Sequence, residues 1–193
     1  MAGETRGKLI RAAHECLLTD GHAHLSTRRV AKRAGVPLSQ IHYHFGGRQG
    51  LVLALLAHQN EQLLERQKAM YVADLPLWQR YEQACAFLEE DLESGYVRML
   101  QEMIAAGWTD KTIGAEVTRL LRAWFDLLES VIAEACAERG DLGPFNPRTL
   151  ATLVGLGFMG GESMMLLGNT WADDVFAALH AVGDVLKLDR EEP

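Results

Sequence analysis

A chain of 193 residues, 48% hydrophobic and 23% charged, is long enough to bury a core and too apolar for a disordered tail. Its net charge is −7; no stretch approaches the ~18 consecutive apolar residues of a membrane span. The polar start, Met1 to Lys8, lacks the apolar run of a secretory leader, and three distant cysteines (Cys16, Cys85, Cys136) form neither a disulfide framework nor a zinc-finger spacing, so a cytoplasmic protein is expected.

Glycine and proline are sparse within long segments and β-branched alternation is absent, which predicts an all-α protein of about nine helices. The first helix runs from about Thr5 to Thr19, with Leu9, Ala13, Cys16 and Leu17 on one face and Gly21 as its stop. A short second helix spans Thr27 to Ala34, with Ser26 as candidate N-cap and Gly35 at its end. A third covers about Leu38 to His44, and Gly46-Gly47 separates it from a long fourth helix, Arg48 to about Met70. Asp74 and Pro76 mark the next break. Further helices are expected at about Leu77–Glu93, Tyr96–Ala106 and Thr112–Arg139, then a loop over Gly140–Pro147, then helices at about Arg148–Leu167 and Trp171–Leu188. The charged tail Asp189–Pro193 is expected to fray. Within these helical patterns a cysteine reads as a small hydrophobe or as a redox sensor.

Charge divides the chain. Residues 1–50 hold eight basic and three acidic residues, a net of +5, and the remainder holds eleven and twenty-three, a net of −12. A basic head on an acidic body is the electrostatic footprint of nucleic-acid binding by the head. Within that head, Val30, Ala31, Ala34, Val36, Ile41 and Phe45 are the apolar positions of two short helices closing over a third, and Gly35 makes a turn that needs positive φ. Thr27, Arg28, Leu38, Ser39, Gln40, His42, Tyr43 and His44 remain outward. They can hydrogen-bond base edges or phosphates, and Leu38 can touch a thymine methyl. His42-x-His44 and His22-x-His24 are poor metal pairs, because helix positions i and i+2 point apart.

The run from Ser26 to Leu56 resembles the TetR/AcrR family of transcriptional regulators. The matching elements are the cap Ser26, the turn Ala34-Gly35-Val36, the segment His42-Tyr43-His44-Phe45, and Arg48 followed by Gly50-Leu51-Val52-Leu53-Ala54-Leu55-Leu56. The close likeness covers about residues 5–56, and the rest is similar only in helix count and order. It implies a three-helix DNA-binding domain at residues 1–47 and a helical ligand-binding and dimerisation domain at 48–193. It further implies that Leu38, Ser39 and Gln40 lie near base edges, that Tyr43 and His44 hold phosphates, and that Arg28 meets backbone or a flanking base. Arg48 would meet a phosphate at the start of the fourth helix, where dipole and side-chain charge act together. The sequence departs from the family at Pro37, where a capping Ser or Thr is usual, at Leu38, often Lys, and at His42, commonly Tyr.

One short recognition helix covers too few bases, so a two-fold dimer on a near-palindromic operator is expected, with half-sites about 34–36 Å apart. The last two helices, about residues 148–188, suit dimerisation: Gly155, Gly157, Gly160 and Gly161 lie beside Leu153, Phe158, Met164 and Leu167, and the final helix aligns Val175, Phe176, Leu179, Val182 and Leu186. The resemblance implies a four-helix bundle from two subunits; packing of both stripes within one chain is the alternative. Tyr96, Met99, Leu100, Met103, Trp108, Trp124, Phe125 and Leu128, with Phe158, Met159, Glu162 and Met165, are large adaptable side chains that serve as core or as an effector pocket. The candidate ligand residues are Tyr96, Met99, Met103, Trp124, Phe125, Phe158, Glu162 and Met165. Glu102 or Glu162, if buried, needs a donor, such as a cationic group on a ligand. No nucleophile elbow, zincin helix or phosphate loop is present, so a regulator without cofactor is expected rather than an enzyme. The ligand-responsive repressor stands beside a regulator without a small-molecule ligand, protein-controlled or activating, and beside a helical enzyme or carrier.

Overall fold

In the computed structural model, residues 2–20, 25–72, 75–139 and 145–188 are described. Among them lie nine helices and no strand: α1 (Ala2–Asp20), α2 (Thr27–Ala34), α3 (Ser39–Phe45), α4 (Arg48–Val72), α5 (Leu77–Glu93), α6 (Tyr96–Gly107), α7 (Lys111–Arg139), α8 (Pro147–Met165) and α9 (Asn169–Leu188). The expected all-α order holds, with no end moved by more than three residues. Gly21, Asp74, Gly140 to Pro144 and the tail from Asp189, all assigned above to stops, loops or fraying, lie outside the described residues, as do His22 and His24.

The helices fall into two compact units, Met1–Gln62 with Asp91–Val117, and Leu63–Glu90 with Thr118–Pro193. The division by compactness falls within α4, whereas the boundary expected at residues 47–48 lies at the start of that helix. In the first unit Leu9, Ile10, Ala13, Cys16 and Leu17 of α1 are buried with Val30, Ala31, Ile41, Leu51, Val52, Leu55 and Leu56. Full burial of one such leucine removes apolar surface worth about 2 kcal/mol, and Leu9, Leu51, Leu55 and Leu56 supply four.

Local chemistry sets the joints. Gly35 ends α2 at φ 66, the left-handed conformation that the sequence demands there, and its N–H donates to the Lys32 carbonyl at 3.2 Å. Asp110 caps α7, its Oδ1 accepting from the N–H groups of Thr112 (2.9 Å) and Ile113 (3.2 Å). Asn146 caps α8, accepting from the Thr149 N–H at 2.9 Å, with Pro147 in the first turn. Between α6 and α7 the backbones nearly touch: a Cβ on Gly107 would meet the Gly114 Cα at 2.9 Å. Trp108 stands beside this crossing and is 81% exposed, so it belongs to neither core nor pocket, against the expectation that grouped it with Tyr96 and Met103.

His14 of α1 is half-buried in the first unit, with its Nε2 sealed from solvent. Burial, and secondarily the charge of His58 on α4, hold its pKa below the usual 6.5, with Glu15 opposing. A histidine kept neutral by folding binds fewer protons than in the unfolded chain, so its contribution to stability is present above pH 6.5 and is lost as pH falls below it. His14→Leu is expected to flatten the decline in melting temperature on acidification below that value; a decline as steep as that of the parent would contradict the assignment.

In the second unit, Phe125 of α7 lies against Gly155 of α8, where a Cβ would collide with the ring, its Cζ 2.8 Å away. Gly161 admits Val175 of α9, whose Cγ1 would be 2.9 Å from an added Cβ. Gly157 and Gly160 have nothing within 4 Å. The four glycines expected to form one approach surface therefore divide, two spent inward and two open. The stripe expected on α9 divides as well: Val175, Phe176, Leu179 and Leu186 are half-buried, whereas Val182 is 49% exposed. The open face runs instead through Leu153, Leu156, Gly157 and Gly160 of α8 and Trp171, Ala178, Val182 and Val185 of α9.

Cys16 and Cys85 are buried and Cys136 is half-buried; all three are free thiols. Burial pushes the Cys85 thiol up to about 11, against the lowering effect of its hydrogen bond with Tyr81, so at neutral pH it is protonated and inert.

Candidate nucleic-acid interface

α3 is only seven residues long, so its usefulness depends on how α1, α2 and α4 hold it. Ile41 is fully buried and anchors its inner side. Half a turn away, Ser39, His42 and Tyr43 are exposed, with Tyr43 at 77%, an exposure unusual for so large an aromatic side chain. Leu38, Gln40 and His44 are half-buried at the edges of this surface. On α2, Arg28 is exposed and Thr27 half-buried, with Ser26 half-buried just before it. None of the ten residues expected to face DNA is buried.

The starts of α2 and α3 rest on backbone rather than side-chain groups. Ser26 has the extended backbone of an N-cap, and its carbonyl accepts from the Val30 N–H at 3.0 Å, but its side chain makes no cap hydrogen bond. Pro37, which has no capping side chain, starts α3 through its carbonyl, which accepts from the Gln40 N–H at 3.0 Å. α3 thus begins at Ser39, with Leu38 in the cap position rather than inside the helix.

Arg48 has a role that the sequence did not reveal. Its Nε–H donates to the Leu25 carbonyl at 3.0 Å, tying the start of α4 to the residue ahead of α2, while the residue as a whole stays exposed. Gly46 and Gly47, at φ 72 and 133, make the turn that sets α4 against the end of α3. Three residues on, Gly50 lies so close to Phe45 that a Cβ would be driven into the Phe45 carbonyl, whose carbon would be 2.9 Å away. The end of α3 and the first turn of α4 are therefore one rigid corner. Along it the rings of Tyr43 and His44 meet edge to face at 4.9 Å, and His44 lies 6.0 Å from Phe45.

A profile of the family described as bacterial regulatory proteins, tetR family, matches residues 9–55. This segment belongs to the TetR family. The match spans α1 to the first two turns of α4, the elements that build this corner. None of the curated proteins compared with the chain matches it. Its whole fold is similar to solved structures at low identity. One is a Rhodococcus sp. protein described as a TetR-family transcriptional regulator: 22% identity, TM-score 0.72, 95% of this chain and 98% of that one. Another is the transcriptional regulator FadR from Bacillus subtilis in complex with stearoyl-CoA: 15% identity, TM-score 0.68, 93% and 96%. A third is a Saccharomonospora viridis protein described as a transcriptional regulator, in complex with choline: 17% identity, TM-score 0.71, 93% and 95%. The chain thus has a tetR-family segment at residues 9–55 and, over its length, the fold of these regulators.

The residues expected to line an effector pocket fall in both units of the TetR-family fold. Tyr96, Met99 and Met103 of α6 are buried in the first, and the Tyr96 hydroxyl donates to Asn60 Oδ1 of α4 at 3.0 Å. In the second, Met165 is buried, while Trp124, Phe125, Phe158 and Glu162 are half-buried. The Trp124 indole N–H donates to Gln67 Oε1 at 3.1 Å, and Phe158 meets Tyr81 edge-on at 6.2 Å. Sequence reasoning missed the carboxamides. Gln59, Asn60 and Gln67 are buried on α4 in the helical register of Val52, Leu55 and Leu56, and polar residues continuing an apolar stripe were the available signal. Among the described residues no group of three or more His, Cys, Asp or Glu side chains could hold a metal, and no helix is long and apolar enough to cross a membrane.

Proposed function

We propose that this TetR-family chain is a ligand-responsive repressor that binds a near-palindromic operator as a homodimer in the cytoplasm, with residues 1–47 as reader and 48–193 as sensor and dimerisation domain. The observation that carries the reading is the outer side of α3, where Ser39, His42 and Tyr43 are exposed opposite the buried Ile41. Leu38, Ser39, Gln40 and His42 are read as facing base edges, and Ser26, Thr27, Arg28, Tyr43, His44 and Arg48 as holding the backbone. Dimerisation is supported by the apolar outer faces of α8 and α9, where Leu156 is 55% and Val185 64% exposed. Ligand response is supported by the adaptable side chains of α6 to α8 and by the dissimilar molecules, stearoyl-CoA and choline, held by two proteins of the same fold. Ligand would act by binding the released geometry more tightly than the DNA-bound one. No catalytic step is assigned to the chain.

Fluorescence anisotropy with DNA from the gene's chromosomal neighbourhood tests the reading: tight, sequence-selective binding is expected, and none at low salt overturns it. Gln40→Ala is expected to change base preference, with about 1–3 kcal/mol of discrimination lost at one position. Tyr43→Phe, which removes only a hydroxyl, should weaken binding to every sequence alike, by about fivefold. A uniform loss from Gln40→Ala would misplace the base contacts.

A second reading, a regulator without a small-molecule effector, is favoured by the hydrogen bonds of Tyr96 and Trp124 to Asn60 and Gln67, which already satisfy the polar ends of two candidate ligand residues. Titration with a long-chain acyl-CoA and with choline, followed by tryptophan fluorescence and operator release, separates the two.

A further inference from the structure

On α1, Ile10, Ala13 and Leu17 form a buried line, and one turn before Ile10 the same line reaches Arg6. An arginine therefore stands where the helix is aimed at the rest of the unit rather than away from it. Arg6 is exposed, and its guanidinium lies over the ring of Phe45, 5.6 Å from the centroid, at the last residue of α3. A cation–π contact uses the positive charge of the guanidinium and consumes none of its five N–H donors. Two carboxylates of α1 are engaged by others, Glu4 by Lys8 at 2.9 Å and Glu15 by Arg33 at 3.7 Å, and among the described residues none pairs with Arg6. The rings of Phe45, His44 and Tyr43 follow one another from this arginine to the exposed side of α3.

We propose that Arg6 is a DNA-backbone contact supplied from outside the helix-turn-helix, its guanidinium held by Phe45 beside Tyr43 so that both grip phosphate at the end of the recognition helix. The inference rests on the DNA-binding reading above. A guanidinium fork matches phosphate oxygens in two parallel hydrogen bonds, and one already resting on a ring loses less freedom on binding.

The test is anisotropy of the full chain against a fluorescein-labelled duplex of scrambled sequence over a range of salt. Arg6→Gln should lower affinity threefold to tenfold and reduce the slope of log affinity against log salt by about 0.9, the value for one phosphate contact, while Arg6→Lys keeps the slope. A structural stack alone would leave the slope unchanged in Arg6→Gln; that result, with the parent chain binding normally, overturns this inference and spares the DNA-binding reading. Salt-independent or absent binding by the parent chain overturns both. Equal melting temperatures of the two variants keep the comparison free of unfolding; a drop confined to Arg6→Gln with an unchanged slope counts against the proposal.

Discussion

Gly50→Ala will unfold the reader. A single methyl at this position enters the Phe45 carbonyl, which is backbone and belongs to the end of the recognition helix, so neither side can yield by changing a rotamer. Overpacking against side chains costs about 1–3 kcal/mol, and collision with main chain at a rigid corner belongs at or above the upper end. The corner cannot open cheaply. Gly46 and Gly47 fix the turn, and Arg48 is tied to Leu25. Denaturant unfolding of the variant should show a loss of about 3 kcal/mol or more, and affinity for DNA should vanish with it. A stable Gly50→Ala chain that binds normally would show that α4 starts elsewhere.

The second large effect is expected at the outer face of α8 and α9. Leu156 and Val185 are more than half exposed, next to open glycines, so charging them removes little from the interior of one chain. In the proposed dimer, Leu156→Glu combined with Val185→Glu places four like charges across the two-fold interface, where each desolvated charge costs several kcal/mol. Sedimentation should show monomers at concentrations where the parent chain is dimeric, and operator affinity should fall by about a hundredfold or more, because one reader covers a single half-site. Far-ultraviolet circular dichroism of the monomer should show the helical content of the parent chain, so the loss is one of assembly and not of folding. A double variant that remains dimeric would direct the search for the interface elsewhere.

Legibility from sequence followed the physics of each part. Helix order was plain because apolar periodicity is a local signal, and the left-handed Gly35 was plain because only glycine takes that backbone without cost. The outward set on α3 followed from the burial of one residue, Ile41, since a helix of seven residues has few orientations once its inner side is fixed. What stayed hidden depends on contacts distant in the chain. Nothing near Arg48 announces the Leu25 carbonyl, and nothing near Arg6 announces Phe45. Trp108 misled for the opposite reason, since a large aromatic beside a helix end is apolar enough for a core and stands in solvent.

The divided glycines of α8 bear on how such a chain drifts over generations. At Gly155 and Gly161 the demand arises inside the chain, from Phe125 and Val175, and every descendant that keeps this interior inherits it. At Gly157 and Gly160 no described neighbour makes the demand, and it is the proposed dimer that would call for smallness there. A lineage that did without the proposed dimer would lose the second pair first and leave the first untouched.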